Sequence, residues 1–288
     1  MTEPRKPRPT LKLAIARDSA PPAAPRGRVV RVVGAPPPPP PAPPVSAADV
    51  ELAKSLLIHE DAEVLAFNKP SGLAVQGGSG VDKSLDDLLG AFAKSNGKRP
   101  KLVHRLDRET SGVLVVGRTT PAAAALSAAF AGREAKKTYI AIVCGGAPKP
   151  AQAAISIPLK KMARNGIDMV RAARDGDNGV LQAKTRYRTL AKTKDVSLVA
   201  LYPETGRLHQ LRAHMSMIDH PIFGDGKYGG LLSIGAVEAP TMLLHAFALS
   251  LPHPAGGVFS VSAPPSAEFA KTAKALGIDL EAALADLA

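Results

Sequence analysis

His104-Arg105-Leu106-Asp107-Arg108-Glu109-Thr110-Ser111-Gly112 runs directly into Val113-Leu114-Val115-Val116. The apolar run reads as a buried strand, and the polar residues ending in glycine read as the turn that delivers it. Asp107 is thus a short, stiff carboxylate at the lip of a strand, with Arg105 and Arg108 on either side. Such a group suits nucleophilic attack or proton transfer when a nearby cation keeps it ionised. Taken alone, Arg-x-Asp is equally well explained by a solvated surface ion pair. The wider pattern of the chain decides between the two.

That pattern has two more blocks. Upstream lies Asn68-Lys69-Pro70-Ser71-Gly72-Leu73-Ala74-Val75. Downstream lies Thr205-Gly206-Arg207-Leu208-His209-Gln210-Leu211-Arg212-Ala213-His214, continued by His220-Pro221-Ile222-Phe223-Gly224-Asp225. With the Asp107 block they resemble, in order and spacing, the signature of the RluA-type pseudouridine synthases, over roughly residues 58 to 262. The resemblance implies isomerisation of uridine to pseudouridine within RNA, with no metal and no organic cofactor. It places the catalytic aspartate at Asp107. Arg212 is its expected partner, and Tyr139, in Lys137-Thr138-Tyr139, matches a tyrosine near the target base. Leu244 matches a leucine lying against that base, with Leu243 as the other possibility. Arg105 is expected to fill the gap that the flipped base leaves. His104, Lys69, Arg108 and Arg207 are further candidates for substrate contact.

The implied fold is α+β, a mostly antiparallel mixed sheet with flanking helices. The residues themselves read compatibly. Ser46 starts a helix toward Leu57, Glu63 to Asn68 is a strand, and Ser84 caps a helix to Ala93. Pro121 to Arg133 is a helix with proline in its first turn, and Lys136 to Val143 is a strand. Residues 145 to 180 read as loop. Gln182 to Leu190 and Val196 to Tyr202 alternate as a strand pair turned at Lys194-Asp195. His209 to Ile218 is helical, Thr241 to Leu251 is a buried strand, and Pro265 to Ala288 carries terminal helices.

Two domains are expected: a basic, proline-rich, disordered arm over residues 1–45 and a catalytic domain over 46–288. The arm holds 14 of the 27 prolines. Its eight Lys or Arg against Glu3 and Asp18 supply half of the chain's net charge of +12. Pro36 to Pro41 predicts a stiff polyproline II rod, and residues 28–33 a short strand. No S4-type RNA-binding module, common before this catalytic domain, is legible in so short and proline-rich a segment.

The charge and a pI near 9.9 point to a polyanionic partner, RNA above all. With no tryptophan and 4% aromatic residues, a basic groove with one or two placed aromatics is expected rather than a stacking platform. The single cysteine, Cys144, excludes an intramolecular disulfide and a cysteine-based zinc site. His209, His214 and His220 are five and six residues apart and do not share a helix face, which argues against a metal centre. No apolar run of membrane-spanning length and no signal-peptide pattern occurs, so a soluble, cytoplasmic protein is expected, and a monomer is the default expectation.

Gly77-Gly78-Ser79-Gly80 lacks the Lys-Ser/Thr of a phosphate-binding P-loop. After Lys-Pro-Ser-Gly it resembles the RluC-like subgroup acting on 23S ribosomal RNA. Transfer RNA is the alternative substrate. A non-catalytic RNA-binding protein would explain the charge but not the joint presence of Asp107, Tyr139 and Arg212. A nucleoside or sugar hydrolase would need a second acid, for which Glu204 and Asp225 are the nearby options.

Overall fold

The computed structural model describes residues 45–78, 80–164 and 166–287. The basic arm, its proline run and the 28–33 segment lie outside them, except Val45, as does Ser79 of the glycine-rich loop.

Helix α1 (Ala47–Ser55) leads into β1 (Leu57–Glu60) and β2 (Val64–Lys69). Helix α2 (Leu85–Leu88) continues as a 3₁₀ turn, Leu89–Phe92, before β3 (Lys101–Leu102), β4 (Ser111–Gly117), α3 (Thr120–Ala131) and β5 (Lys136–Cys144). Next come β6 (Gln152–Ile155), the hairpin of β7 (Leu159–Arg164) and β8 (Ile167–Ala172), the pair β9 (Thr185–Lys192) and β10 (Val196–Pro203), and α4 (Gln210–Met217). A short ribbon of β11 (Ser233–Ile234) and β12 (Val237–Glu238) precedes β13 (Leu244–Pro252), β14 (Val258–Ser262), α5 (Ala267–Ala275) and α6 (Leu280–Leu284).

The main sheet has ten strands in the order β1-β2-β4-β13-β5-β10-β9-β6, with β14 on β13 and β3 on β4. Among the described residues its pairings are antiparallel except for β4 with β13. This is the expected mixed sheet with flanking helices.

Its central strands are apolar on both faces because both are covered. Leu65, Phe67, Leu114 and Val116 pack with Leu85 and Leu88 of α2. Val64, Ala66, Val113 and Val115 pack with Leu126 of α3. The helices begin where their caps stand: the Ser46, Ser84, Thr119 and Ser266 side chains each accept a backbone N–H of the first turn. Cys144 is buried in the packing around Ile140, Ile142 and Phe223.

Residues 145 to 180 correct the loop reading, since they hold β6 and the β7–β8 hairpin. The hairpin is fixed through few apolar residues, chiefly Leu159 and Val170, which pack with Tyr228 and with Ala213 of α4. Its lysines and arginines mask a strand pattern that only distant partners complete.

One row across the sheet positions the site. Gly112 of β4 pairs with Ala246 of β13, and Ala246 pairs with Tyr139 of β5. Gly112 has φ +108°, and any Cβ there would run into the Ala246 backbone carbonyl. Glycine at the end of the Asp107 block is therefore required for the single parallel junction of the sheet.

Candidate active site

The Asp107 loop is held from both ends. Leu106 is buried against Phe67 and Leu114, leaving Asp107 at the surface of that core. The Thr110 N–H donates to the Asp107 carbonyl at 3.1 Å and closes the turn. His104 Nε2 accepts the Val115 N–H at 3.0 Å, and its ring stacks on Phe130 with centroids 4.3 Å apart. Burial, with Lys137 nearby, pushes His104 down to about 3, so the ring stays a neutral acceptor. His104 lines the cleft, but its bonds make it an anchor of the loop on β4 rather than a free hand for substrate.

The Lys-Pro-Ser-Gly block is the other clamp. Lys69 is fully buried, and its ammonium donates to the carbonyls of Pro70, Leu73 and Arg108 at 3.0, 2.8 and 3.1 Å. Ser71 Oγ donates to the Glu109 carbonyl at 2.7 Å, and Arg108 Nε donates to the Gly72 carbonyl at 2.9 Å. Burial lowers the Lys69 ammonium to about 8, against the pull of Glu109 and Asp107. In this structure Lys69 has all three donors on carbonyls, and Arg108 braces its own loop through Nε while its side chain is exposed.

The cleft has a volume of about 1140 Å³. Asp107, Tyr139, Arg212, Leu244, Arg105 and Arg207 all line it, so the Asp107 block, the downstream block, β5 and β13 converge there. Arg105 is exposed, while the Arg207 Nε donates to the Gln182 carbonyl at 3.1 Å. Leu244 lines the cleft, whereas Leu243 lies in the packing around Phe223. Lys136, Lys137, Arg133 and Arg186 give the rim its charge, and the Arg186 guanidinium lies 5.4 Å from the centroid of the Tyr202 ring.

Arg212 is 2% exposed on α4. Its strong partner is Asp225, with Nε to Oδ2 and Nη2 to Oδ1 both at 2.7 Å. Nη1 is buried without a hydrogen bond and lies 3.6 Å from Asp107 Oδ2 and 3.7 Å from Glu109 Oε2. The expected Arg212–Asp107 pairing is therefore refined. Asp225 fixes the guanidinium, and the third nitrogen is left free to face Asp107. Burial alone would lower the Arg212 pKa, but the bonds and charge of Asp225, with Asp107 and Glu109, hold it above its ordinary value. A fixed cation thus faces Asp107, as a carboxylate nucleophile or base requires.

Tyr139 stands on the far wall, and burial together with the Asp107 charge pushes its hydroxyl well above the usual range. It is a neutral ring able to stack on a base. His209 completes the surround: Nε2 is 3.9 Å from Asp107 Oδ2, and burial keeps its pKa below the ordinary histidine value.

The downstream block explains itself position by position. Gln210 Nε2 donates to the Lys184 carbonyl and to Thr185 Oγ1, and Gln210 Oε1 accepts from Thr205 Oγ1 and from the Arg207 N–H. Leu211 packs in the core, and His214 is buried between Thr185 Oγ1 and the Ile157 carbonyl. His220 Nδ1 faces the Cys144 carbonyl at 3.0 Å. The three histidines thus have three separate protein partners. Among the described residues no group of three His, Cys, Asp or Glu could hold a metal ion, and no helix is long and apolar enough to cross a membrane.

Residue-by-residue reading missed Glu109, Tyr228, Lys137 and the role of Asp225. Tyr228 lies three residues beyond the quoted Gly224-Asp225, and only the fold shows that it reaches back to His209 and Arg212.

The mixed sheet thus sets a clamped aspartate beside a buried arginine in a cleft with a basic rim. The profile of the family described as RNA pseudouridylate synthase matches residues 63–217, more than half of the chain, and the chain belongs to that family. It is 36% identical over 224 residues to a mitochondrial pseudouridylate synthase, RPUSD4, of Xenopus tropicalis, covering 69% of this chain and 68% of that one. It is 41% identical over 187 residues to ribosomal large subunit pseudouridine synthase C of Rickettsia bellii, covering 63% and 60%. The chain thus spans about two thirds of the length of these relatives or less. Human RNA Pseudouridylate Synthase Domain Containing 4 has a similar structure, with a TM-score of 0.68 at 29% identity, over 81% of this chain and 98% of that one.

Proposed function

We propose that the chain isomerises particular uridines to pseudouridine in large-subunit ribosomal RNA, with Asp107 as the reacting group. The observation that carries this is the Asp107 carboxylate 3.6 Å from an otherwise unbonded nitrogen of the buried Arg212. The N1 glycosidic bond breaks, the uracil turns, and C5 bonds to the same sugar carbon while its proton leaves. Asp107 attacks C1′ or removes the 2′ proton. Tyr139 stacks on the flipped uracil and assists the later loss of the C5 proton, and Leu244 supports the other face. Base flipping costs a few kcal/mol, which phosphate contacts along the basic rim offset. Arg105, exposed beside Asp107, fills the vacated stack, and Arg207 is a rim contact.

Hydrolysis is the poorer fit. Asp225 is held by Arg212 in a bidentate pair. Lys184, then Arg186, hold Glu204 below its ordinary value, so it is no reservoir for a leaving-group proton. The ribosomal assignment rests on the relatives named as ribosomal large subunit pseudouridine synthases. Pseudouridine mapping of total RNA from cells with and without the protein tests it. The expected result is a loss confined to the large ribosomal RNA. Loss in transfer RNA alone would replace that substrate, and release of free uracil would replace the reaction.

A further inference from the structure

His209 stands at the start of α4 with φ +49°, a left-handed conformation uncommon for any residue but glycine, though histidine takes it more readily than most. This turn sets the ring between Asp107 and Tyr228. Nδ1 lies 3.0 Å from the Tyr228 hydroxyl, and Nε2 lies 3.9 Å from Asp107 Oδ2.

The far end of this chain favours one proton order. The Val170 backbone N–H of β8 can only donate, and it donates to the Tyr228 oxygen at 2.9 Å. The hydroxyl hydrogen of Tyr228 is then free to go to His209 Nδ1. A neutral imidazole that accepts at Nδ1 carries its hydrogen at Nε2, on the side of Asp107. The Tyr228 ring meanwhile lies against the Arg212 guanidinium, whose Cζ is 5.2 Å from the ring centroid. One tyrosine therefore contacts both groups that flank Asp107.

We propose that Tyr228 and His209 are positioning residues for the isomerisation, Tyr228 fixing the tautomer of His209 so that its Nε2–H and the free nitrogen of Arg212 together orient the Asp107 carboxylate. The inference rests on Asp107 being the reacting group. It gives the β7–β8 hairpin a part in the site, because the chain of donors starts at Val170. The proposal requires the 3.9 Å separation to shorten to a hydrogen bond when substrate is bound.

The test combines spectroscopy with kinetics on the full chain. Nitrogen-15 spectra of histidine-labelled protein report which His209 nitrogen is protonated, with His209→Gln identifying the signal. The expected result is hydrogen on Nε2 in the parent and a mixed or reversed tautomer in Tyr228→Phe, which keeps the ring over Arg212. Hydrogen on Nδ1 in the parent overturns the proposal. Turnover is read as tritium release from [5-³H]uridine-labelled RNA isolated from cells lacking the protein, in which the target positions are still uridine.

Tyr228→Phe is expected to lower kcat about tenfold or more with little change in KM, since a misplaced reacting group costs rate rather than binding. His209→Gln, whose amide can still donate toward Asp107, is expected to retain more activity than His209→Ala. In the His209→Gln background, Tyr228→Phe should have no further effect on kcat. An equal loss in both backgrounds would show that the hydroxyl acts only through stability and would overturn the proposal. Asp107→Asn in the same assay separates the two claims: if that variant turns over normally, the reading of Asp107 fails, while the tautomer result still stands.

Discussion

Asp225 is the residue through which Arg212 acts, and its loss tests that arrangement. With both carboxylate oxygens bonded at 2.7 Å in a buried pair, removing the Asp225 charge leaves a buried cation with only its longer contacts to Asp107 and Glu109. Asp225→Asn is expected to lower the unfolding free energy by about 3 kcal/mol, read by urea denaturation. It is also expected to lower kcat, since the guanidinium is then drawn toward Asp107 and Glu109. An unchanged urea midpoint would contradict this. At this scale the family resemblance named Asp107, Tyr139, Arg212 and Leu244, and the structure brings all four to one cleft. It did not disclose that Lys69 spends its donors on carbonyls, because a buried lysine looks in sequence like any basic residue beside a glycine turn. Glu109, Tyr228 and the bidentate role of Asp225 were hidden for the same reason, since their partners lie on other elements.

Strands β4 and β13 form the junction on which the site is built, and two experiments probe it. Gly112→Ala puts a Cβ against the Ala246 carbonyl in a conformation at φ +108°, so unfolding free energy should drop by about 1–3 kcal/mol, more if the parallel pairing gives way. A variant as stable as the parent would show that the junction yields without strain. His245 of β13 bridges the same junction, with Nδ1 2.9 Å from Ser111 Oγ and Nε2 2.9 Å from the Ala263 carbonyl. Burial pushes it from 6.5 to about 4, with the Ala263 bond opposing. Below pH 6.5 the unfolded chain takes up a proton that the folded chain refuses. This contribution to stability is therefore complete above pH 6.5 and is lost as pH falls toward 4. Urea midpoints measured from pH 7 to 5 should fall, and the fall should be shallower in His245→Gln; parallel slopes would remove His245 as the cause. The central strands were legible because burial on both faces makes them continuous apolar runs. The β7–β8 hairpin was not, because its few anchoring residues, Leu159 and Val170, meet partners on α4 and at Tyr228.

For the whole molecule, a net charge of +12 and a rim of lysines and arginines predict RNA binding that weakens steeply with salt. Each single-strand phosphate contact removed should flatten the slope of log affinity against log salt by about 0.7. Lys136→Gln combined with Arg133→Gln, both exposed on the rim, should therefore reduce the slope by about 1.4 if each side chain meets one phosphate. An unaltered slope would move the RNA path elsewhere. The α+β class was legible only through the three blocks, since local periodicity identifies strands but not their order. That order, with β13 between β4 and β5, is what carries Tyr139 and Leu244 to Asp107. The central claim, that Asp107 carries out the isomerisation, is tested most directly by returning either the parent or Asp107→Asn to cells lacking the protein and mapping pseudouridine in their RNA. The account predicts that the parent restores the missing sites, while Asp107→Asn, folded and still binding RNA, leaves them as uridine. Restoration of those sites by Asp107→Asn would contradict it.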